Sequence, residues 1–161
     1  MALATPPPVL DSARVIAYAH VDASIPYLAR SSLYVGGELL GRVPALAICK
    51  NLGTDIGPLL FHCDEQWNVL GTSGAETVEA TVEVAERNCH GLRAHWVWVN
   101  TSPEAALAYY DANFSGRCSF CGKRAFEVNG LVESKASCIC RGCVEDFFRA
   151  FNSPDTDAPA G

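Results

Sequence analysis

Apolar and polar positions alternate in several distinct rhythms along this chain, and each rhythm predicts an element. Val15 to Val21 is an apolar, β-prone run that predicts a buried strand. Leu33-Tyr34-Val35 runs into the turn signal Gly36-Gly37, and a second extended stretch follows through Leu39-Leu40. Ala45 to Cys49 predicts a further strand, with Pro44 marking its start. Leu59 to Cys63 and Trp67 to Leu70 flank Asp64-Glu65, the pattern of a hairpin. A helical period then takes over, placing Ala75, Val78, Val82, Ala85 and Cys89 on one face. Ser73 and Glu76 have the spacing of a capping box for that helix, and Gly91 suits its left-handed end. Ala94 to Val99 is apolar on both faces and predicts an interior strand. Ser102-Pro103 opens a second helix, with Leu107, Tyr110 and Phe114 as its buried stripe.

The fold class expected from this order is α+β: a small β-meander and helix domain over residues 13–115, followed by a separate C-terminal module. Residues 1–12, which include Pro6-Pro7-Pro8, read as a flexible N-terminus, and the polar stretch 152–161 reads as a disordered tail. Charge divides near Ser115-Gly116. Residues 1–116 hold six basic and twelve acidic side chains, whereas residues 117–151 hold six basic and four acidic.

Composition narrows the functional classes. The 161 residues are 49% hydrophobic and 19% charged, which describes a core-forming chain. A net charge of -6 lacks the basic surplus of a general nucleic-acid binder. No stretch reaches the roughly 20 apolar residues of a membrane-spanning helix. The first residues have neither the basic nor the apolar region of a secretory signal, so the expected setting is cytoplasmic, with no membrane partner.

Eight cysteines change the picture more than the charge does. Cys49, Cys63 and Cys89 are scattered, while Cys118, Cys121, Cys138, Cys140 and Cys143 crowd together. Cys118, Cys121, Cys140 and Cys143 form a C-x2-C-x18-C-x2-C pattern, the spacing of a structural zinc site. Two residues between thiols let both sulfurs of a tight knuckle face one ion, and Gly122 relieves the backbone where the knuckle turns. Val144, Phe147, Phe148 and Phe151 follow at i, i+3, i+4 and i+7, so the second pair opens an amphipathic helix. Knuckle, hairpin over 127–139 and helix describe a treble-clef-like, four-cysteine zinc finger spanning 117–151 and holding one structural Zn2+. Lys123, Arg124 and Arg141 stand near enough in sequence to offset the charge of four thiolates. Cys138 reads as a small buried hydrophobe.

Cys118-Ser-Phe-Cys-Gly-Lys, Glu127-Val128, Leu131-Val132 and Cys140-x-x-Cys143-Val144-Glu145-Asp146 together resemble the N-terminal zinc-binding domain of the bacterial ClpX unfoldase family. The resemblance covers residues 117–151. It implies a treble clef with Cys118, Cys121, Cys140 and Cys143 as ligands, which dimerises through apolar surface and receives substrates and adaptor tails. Two departures accompany it. The chain contains no G-x-x-x-x-G-K-[ST], so no nucleotide-binding loop is expected. Glu133-Ser134-Lys135 replaces the family's glycine-proline turn.

Other chemistry weighs less. His62 and Cys63 are strand neighbours and point to opposite faces, so they do not form a base and nucleophile. His20 and His95 read as core histidines, and Trp96 and Trp98 as packing on one strand face. Val144, Phe147, Phe148 and Phe151 exceed what a small zinc module can bury, which makes them a candidate interaction and dimer surface. The expected function is therefore that of a non-enzymatic zinc protein acting through protein–protein contacts, with a homodimer and a client or adaptor protein as partners. The alternative is a nucleic-acid-binding or transcription-regulatory finger.

Overall fold

The computed structural model describes residues 4–114 and 116–153. Val9–Leu10 (β1) turns through Asp11, at φ 51°, onto Ala13–His20 (β2). Both β1 side chains are buried, so residues 9 and 10 belong to the folded body and not to a loose N-terminus. The same expectation for residues 1–3 lies outside the described residues.

Tyr34–Val35 (β3) and Glu38–Leu39 (β4) pair around Gly36 and Gly37, whose φ values of 60° and 87° are the left-handed geometry a two-residue hairpin turn requires. Ala45–Asn51 (β5), Leu59–Cys63 (β6) and Val69–Gly74 (β7) follow. The main sheet is antiparallel in the order β1-β2-β5-β6-β7. Gly71 of β7 is where the β3–β4 hairpin region lies down. A Cβ there would come within 3.1 Å of Leu33, Val35 and Leu40.

The turn between β6 and β7 is built by Asp64. Its carboxylate accepts from the backbone N–H of Gln66 and Asn68 and from the Asn68 amide. Trp67 sits inside this turn at φ 67° instead of opening the strand, and its indole is buried. Strand β7 therefore starts two residues later than the alternation predicts and runs to Gly74.

That extension moves the start of the next helix. Ser73 pairs with Leu60 across the sheet and is committed to strand. The helix α1 is Val78–Asn88, capped by Thr77, whose hydroxyl accepts from Ala80 N at 3.1 Å. Val82, Ala85 and Cys89 are buried as its period predicts, and Gly91 takes the left-handed conformation at φ 87°.

The expected interior strand 94–99 is not one. Leu92–His95 forms a short 3-10 turn, and only Val97–Trp98 (β8) pairs, with β2. Trp96 is buried, but His95 is exposed and Trp98 is 60% exposed. The turn is the cause: it takes up Leu92–His95, so only the last part of the segment is left to run beside Ala17 and Tyr18 of β2, further along the edge on which β1 pairs with Ala13 and Arg14. Pro103–Asn113 (α2) completes the unit, with Ser102 capping Ala105 N and Ala106 and Tyr110 buried. Leu107 and Phe114 are only half-buried.

Two cores flank the sheet. One gathers Leu46, Ile48 and Leu60 beneath Val82, Ala85 and Leu92, on the α1 face. The other gathers Leu10, Val15, Cys49, Phe61, Cys63 and Trp67. Strand β2 serves both. Val15 pairs with Cys49 and Ala17 with Ile48, so Ile16 is an extra residue, a β-bulge. Ala13 and Val15 face the second core, while Ala17 and Ala19 face the first.

The chain divides after Asn113 into a second compact unit. It contains a 3-10 turn at Ala125–Glu127, the pair Leu131–Glu133 (β9) and Cys138–Cys140 (β10), and the helix Arg141–Asn152 (α3). The strands are shorter than the expected 127–139 hairpin because Arg124 and Glu127 cap the 3-10 turn instead. Ser134 closes the tip: its N–H and hydroxyl both donate to Ser137 O, at 2.8 and 3.0 Å. The helix reaches Asn152, so the tail expected from 152 starts no earlier than 153, and residues 154–161 lie outside those described.

Candidate metal centre

The first knuckle is set by backbone. Gly122 N donates to Cys118 O and Cys118 N to Lys123 O, both at 2.9 Å, with Gly122 at φ 72°. The knuckle is tied to β10 by Ser119: its N–H donates to Cys138 O at 2.8 Å, and its hydroxyl accepts from Cys138 N at 3.0 Å. The second pair is set by the helix. Cys140 is the N-cap of α3 and Cys143 lies in its first turn. Gly130, at φ 91°, turns its carbonyl to accept from Arg141 N at 3.2 Å, which fixes the strand-to-helix corner.

These constraints bring the sulfurs of Cys118, Cys121, Cys140 and Cys143 within 4.8 Å of one another. The Cys118–Cys143 separation is 3.7 Å and the Cys121–Cys140 separation is 3.8 Å. A tetrahedron with Zn–S near 2.3 Å has edges of about 3.8 Å, whereas a disulfide needs about 2.05 Å. The donor set therefore fits one zinc ion held by four sulfurs. Four protein ligands leave no open position, so such an ion supplies structure and not catalysis.

The electrostatics agree with a thiolate site. The backbone N–H of Cys121, with those of Cys140 and Phe120, holds the Cys118 thiol down at about 6. Cys140 N lies 3.3 Å from that sulfur. Desolvation pushes Cys143 up to about 12, aided by hydrogen bonds with Cys140, Cys121 and Cys118 that favour its protonated form and by the charge on Cys118. Binding an ion requires the four thiols to give up their protons, so zinc uptake is coupled to proton release. Cys118 and Cys140 are buried, Cys143 is half-buried and Cys121 is exposed.

The surrounding cations are arranged differently from the sequence expectation. Arg124 pairs with Glu127 at 3.3 Å and Arg141 with Glu145 at 3.1 Å, so each is partly neutralised by its own carboxylate. Cys138 is half-buried and not a core residue: it opens β10, one strand of a two-stranded pair.

Helix α3 carries the expected apolar stripe, and it is uncovered. Val144 and Phe147 are exposed, Phe148 is 68% exposed and Phe151 is 88% exposed. Phe120, between the two knuckle cysteines, packs edge-on against Phe147 and extends the stripe, as an isolated aromatic inside a CxxC could have suggested.

Residues weighed for chemistry in the first unit are held apart. His62 faces the α1 side and Cys63 the opposite core. Burial pushes the Cys63 thiol up to about 12, far from a reactive thiolate. His20 is half-buried and meets Tyr18 and Trp67 edge-on. No described helix is long and apolar enough to cross a membrane.

No curated protein and no solved structure matches the chain. Residues 116–151, with all four sulfur ligands, match the family model of the ClpX C4-type zinc finger, and that segment is a zinc-binding module of this type.

Proposed function

We propose that this is a non-enzymatic, cytoplasmic protein that works through protein–protein contacts, its zinc finger serving as a dimerisation and client- or adaptor-docking module. The observation that carries this reading is the uncovered aromatic face of α3, continued by Phe120 on the knuckle. A contiguous apolar patch of this kind on a small module marks an interaction surface. The order of knuckle, hairpin and helix supports a treble-clef architecture. The ClpX-type match supports docking of proteins over nucleic acid, as do the carboxylates paired with Arg124 and Arg141. The first unit would then supply the surface that selects the partner.

Sedimentation of the zinc-loaded full chain tests the dimer. A concentration-dependent dimer is expected, reduced to monomer by Phe148→Asp or Phe151→Asp. Both residues are exposed, so the substitutions leave the fold in place. A monomer at every concentration, or a dimer indifferent to both substitutions, would remove the dimerisation role.

A further inference from the structure

The sulfur ligands of the finger are not equally open to solvent. Cys118 and Cys140 are buried, whereas Cys121 is exposed. It stands at the tip of the first knuckle, where residues 119–123 are all exposed. Phe120 before it is 57% exposed, and a Cβ added at Gly122 after it would meet nothing within 4 Å. A small reagent dissolved in water therefore meets Cys121 ahead of its buried companions.

Thiols elsewhere in the chain compete poorly. Cys49, Cys63 and Cys89 are buried, and burial pushes all three thiols up, away from the reactive thiolate form. Cys138 is half-buried. A sulfur that ligates zinc is deprotonated, so Cys121 keeps its nucleophilic form in the loaded finger at neutral pH. Exposure and deprotonation thus coincide at this one residue.

A second sulfur stands in reach of the first. Cys140 Sγ lies 3.8 Å from Cys121 Sγ, and a disulfide needs about 2.05 Å. Cys121 belongs to the knuckle and Cys140 is the N-cap of α3, so a bond between them would tether one element to the other.

The geometry points to a redox switch at this centre: a hydroperoxide oxidises Cys121, Cys140 closes a disulfide with it, and zinc is released. With hydrogen peroxide, the Cys121 thiolate attacks one oxygen, the O–O bond breaks and hydroxide leaves, giving a sulfenic acid. The Cys140 thiolate then attacks the Cys121 sulfur, the S–O bond breaks and a second hydroxide leaves. The two sulfurs lose two electrons and the peroxide gains them. Cys118 and Cys143 remain as ligands, too few for a closed zinc site. Helix α3 buries no side chain that could hold the unit together without metal. Oxidation therefore loosens the finger, whatever partner its aromatic face receives. The switch rests on the zinc centre and not on dimerisation or docking.

The test treats the zinc-loaded full chain with hydrogen peroxide at neutral pH. A chromogenic chelator follows zinc, and mass spectrometry follows the cysteines, with a cyclic dione to trap sulfenic acid. Zinc release in step with a Cys121–Cys140 disulfide is expected, with the dione marking Cys121 before any other cysteine. A dithiol reductant with added zinc should restore the metal content. Cys121→His keeps a donor set of three cysteines and one histidine, which zinc accepts, and should lose the peroxide-driven release. Cys138→Ser should release zinc at the rate of the unaltered chain. First marking at any other cysteine, a disulfide of different pairing, or zinc retained through oxidation would overturn the inference. Equal release from Cys121→His would overturn it too; if that variant binds no zinc, the mapping in the unaltered chain decides.

Discussion

Phe120 and Phe147 meet edge to face, with ring centroids 5.2 Å apart and planes at 80°. One ring belongs to the first cysteine pair and the other to the helix that carries the second. The contact therefore joins the two halves of the sulfur cage through carbon as well as through metal. Edge-to-face pairs contribute about 0.5–1.5 kcal/mol, and partial exposure places this one near the lower end. A double-mutant cycle of Phe120→Ala and Phe147→Ala, read as zinc retention against a competing chelator, should show positive coupling. Strict additivity would mean that the rings merely share a surface.

Zinc removal should separate the two units. Zinc binding contributes about 10–16 kcal/mol in finger peptides, which is effectively their folding energy. The second unit has no fully buried apolar side chain in α3 to replace it. After chelation, amides of Cys118, Ser119, Cys138 and Cys140 should lose hydrogen-exchange protection, while those of β2, β5 and β6 keep theirs. Unchanged protection across 116–151 would show a finger that folds without metal.

Acid should destabilise the first unit through its histidines. Burial lowers the pKa of His62 and of His20 below the ordinary 6.5. As pH falls through 6.5 the unfolded chain takes up these protons first, so stability declines from there down to the lowered folded values. Above 6.5 both states are neutral and the effect vanishes. Denaturant midpoints measured from about pH 7 to about pH 5 should fall, and His62→Gln should make that fall shallower. An identical slope in the variant would assign the acid sensitivity elsewhere.

Two glycines should respond unequally to alanine. At Gly57, φ is +24° and a Cβ would stand 2.5 Å from the backbone oxygen of Ala75, which cannot yield without moving chain. At Gly71 the added carbon meets only side-chain ends of Leu33, Leu40 and Val35 at 3.1 Å. Gly71→Ala should cost about 1 kcal/mol and Gly57→Ala about 2–3 kcal/mol, read from chemical denaturation. The reverse order would mean that the chain around Ala75 is softer than its packing indicates.

The metal ligands were legible in the chain because a C-x2-C pair encodes its own geometry: the knuckle forms from adjacent residues. The strands β2, β5 and β6 were legible for the same local reason, a run of apolar, β-prone side chains. What local pattern could not reveal was competition between elements. Ser73 is a sound helix cap by sequence, yet pairing with Leu60 takes it into the sheet, and Thr77 caps instead. Ala94 to Val99 reads as an interior strand by its apolar run, but the turn at Leu92–His95 takes its first residues and leaves Val97 and Trp98 to pair with β2. The depression lined by Leu33, His62, Ser73 and Asn88 draws on four separate segments, so no window of sequence contains it.

The extra residue at Ile16 gives β2 one residue of slack. Ala13, Val15, Ala17 and Ala19 stand at every second position, which in an unbroken strand would turn all four to the same side. The bulge shifts the phase, so the first two meet the Trp67 layer and the last two meet the α1 layer. Removing Ile16 would join Val15 directly to Ala17 and restore plain alternation, with each still opposite its partner, Cys49 or Ile48. Both layers would survive the loss. What the shortened strand would give up is the packing of the Ile16 side chain on the α1 layer and an anchor: the Ile16 carbonyl accepts from Val99 N at 2.9 Å, just past β8. The surplus residue is thus dispensable to the sheet and needed by the segment that leads from it into α2.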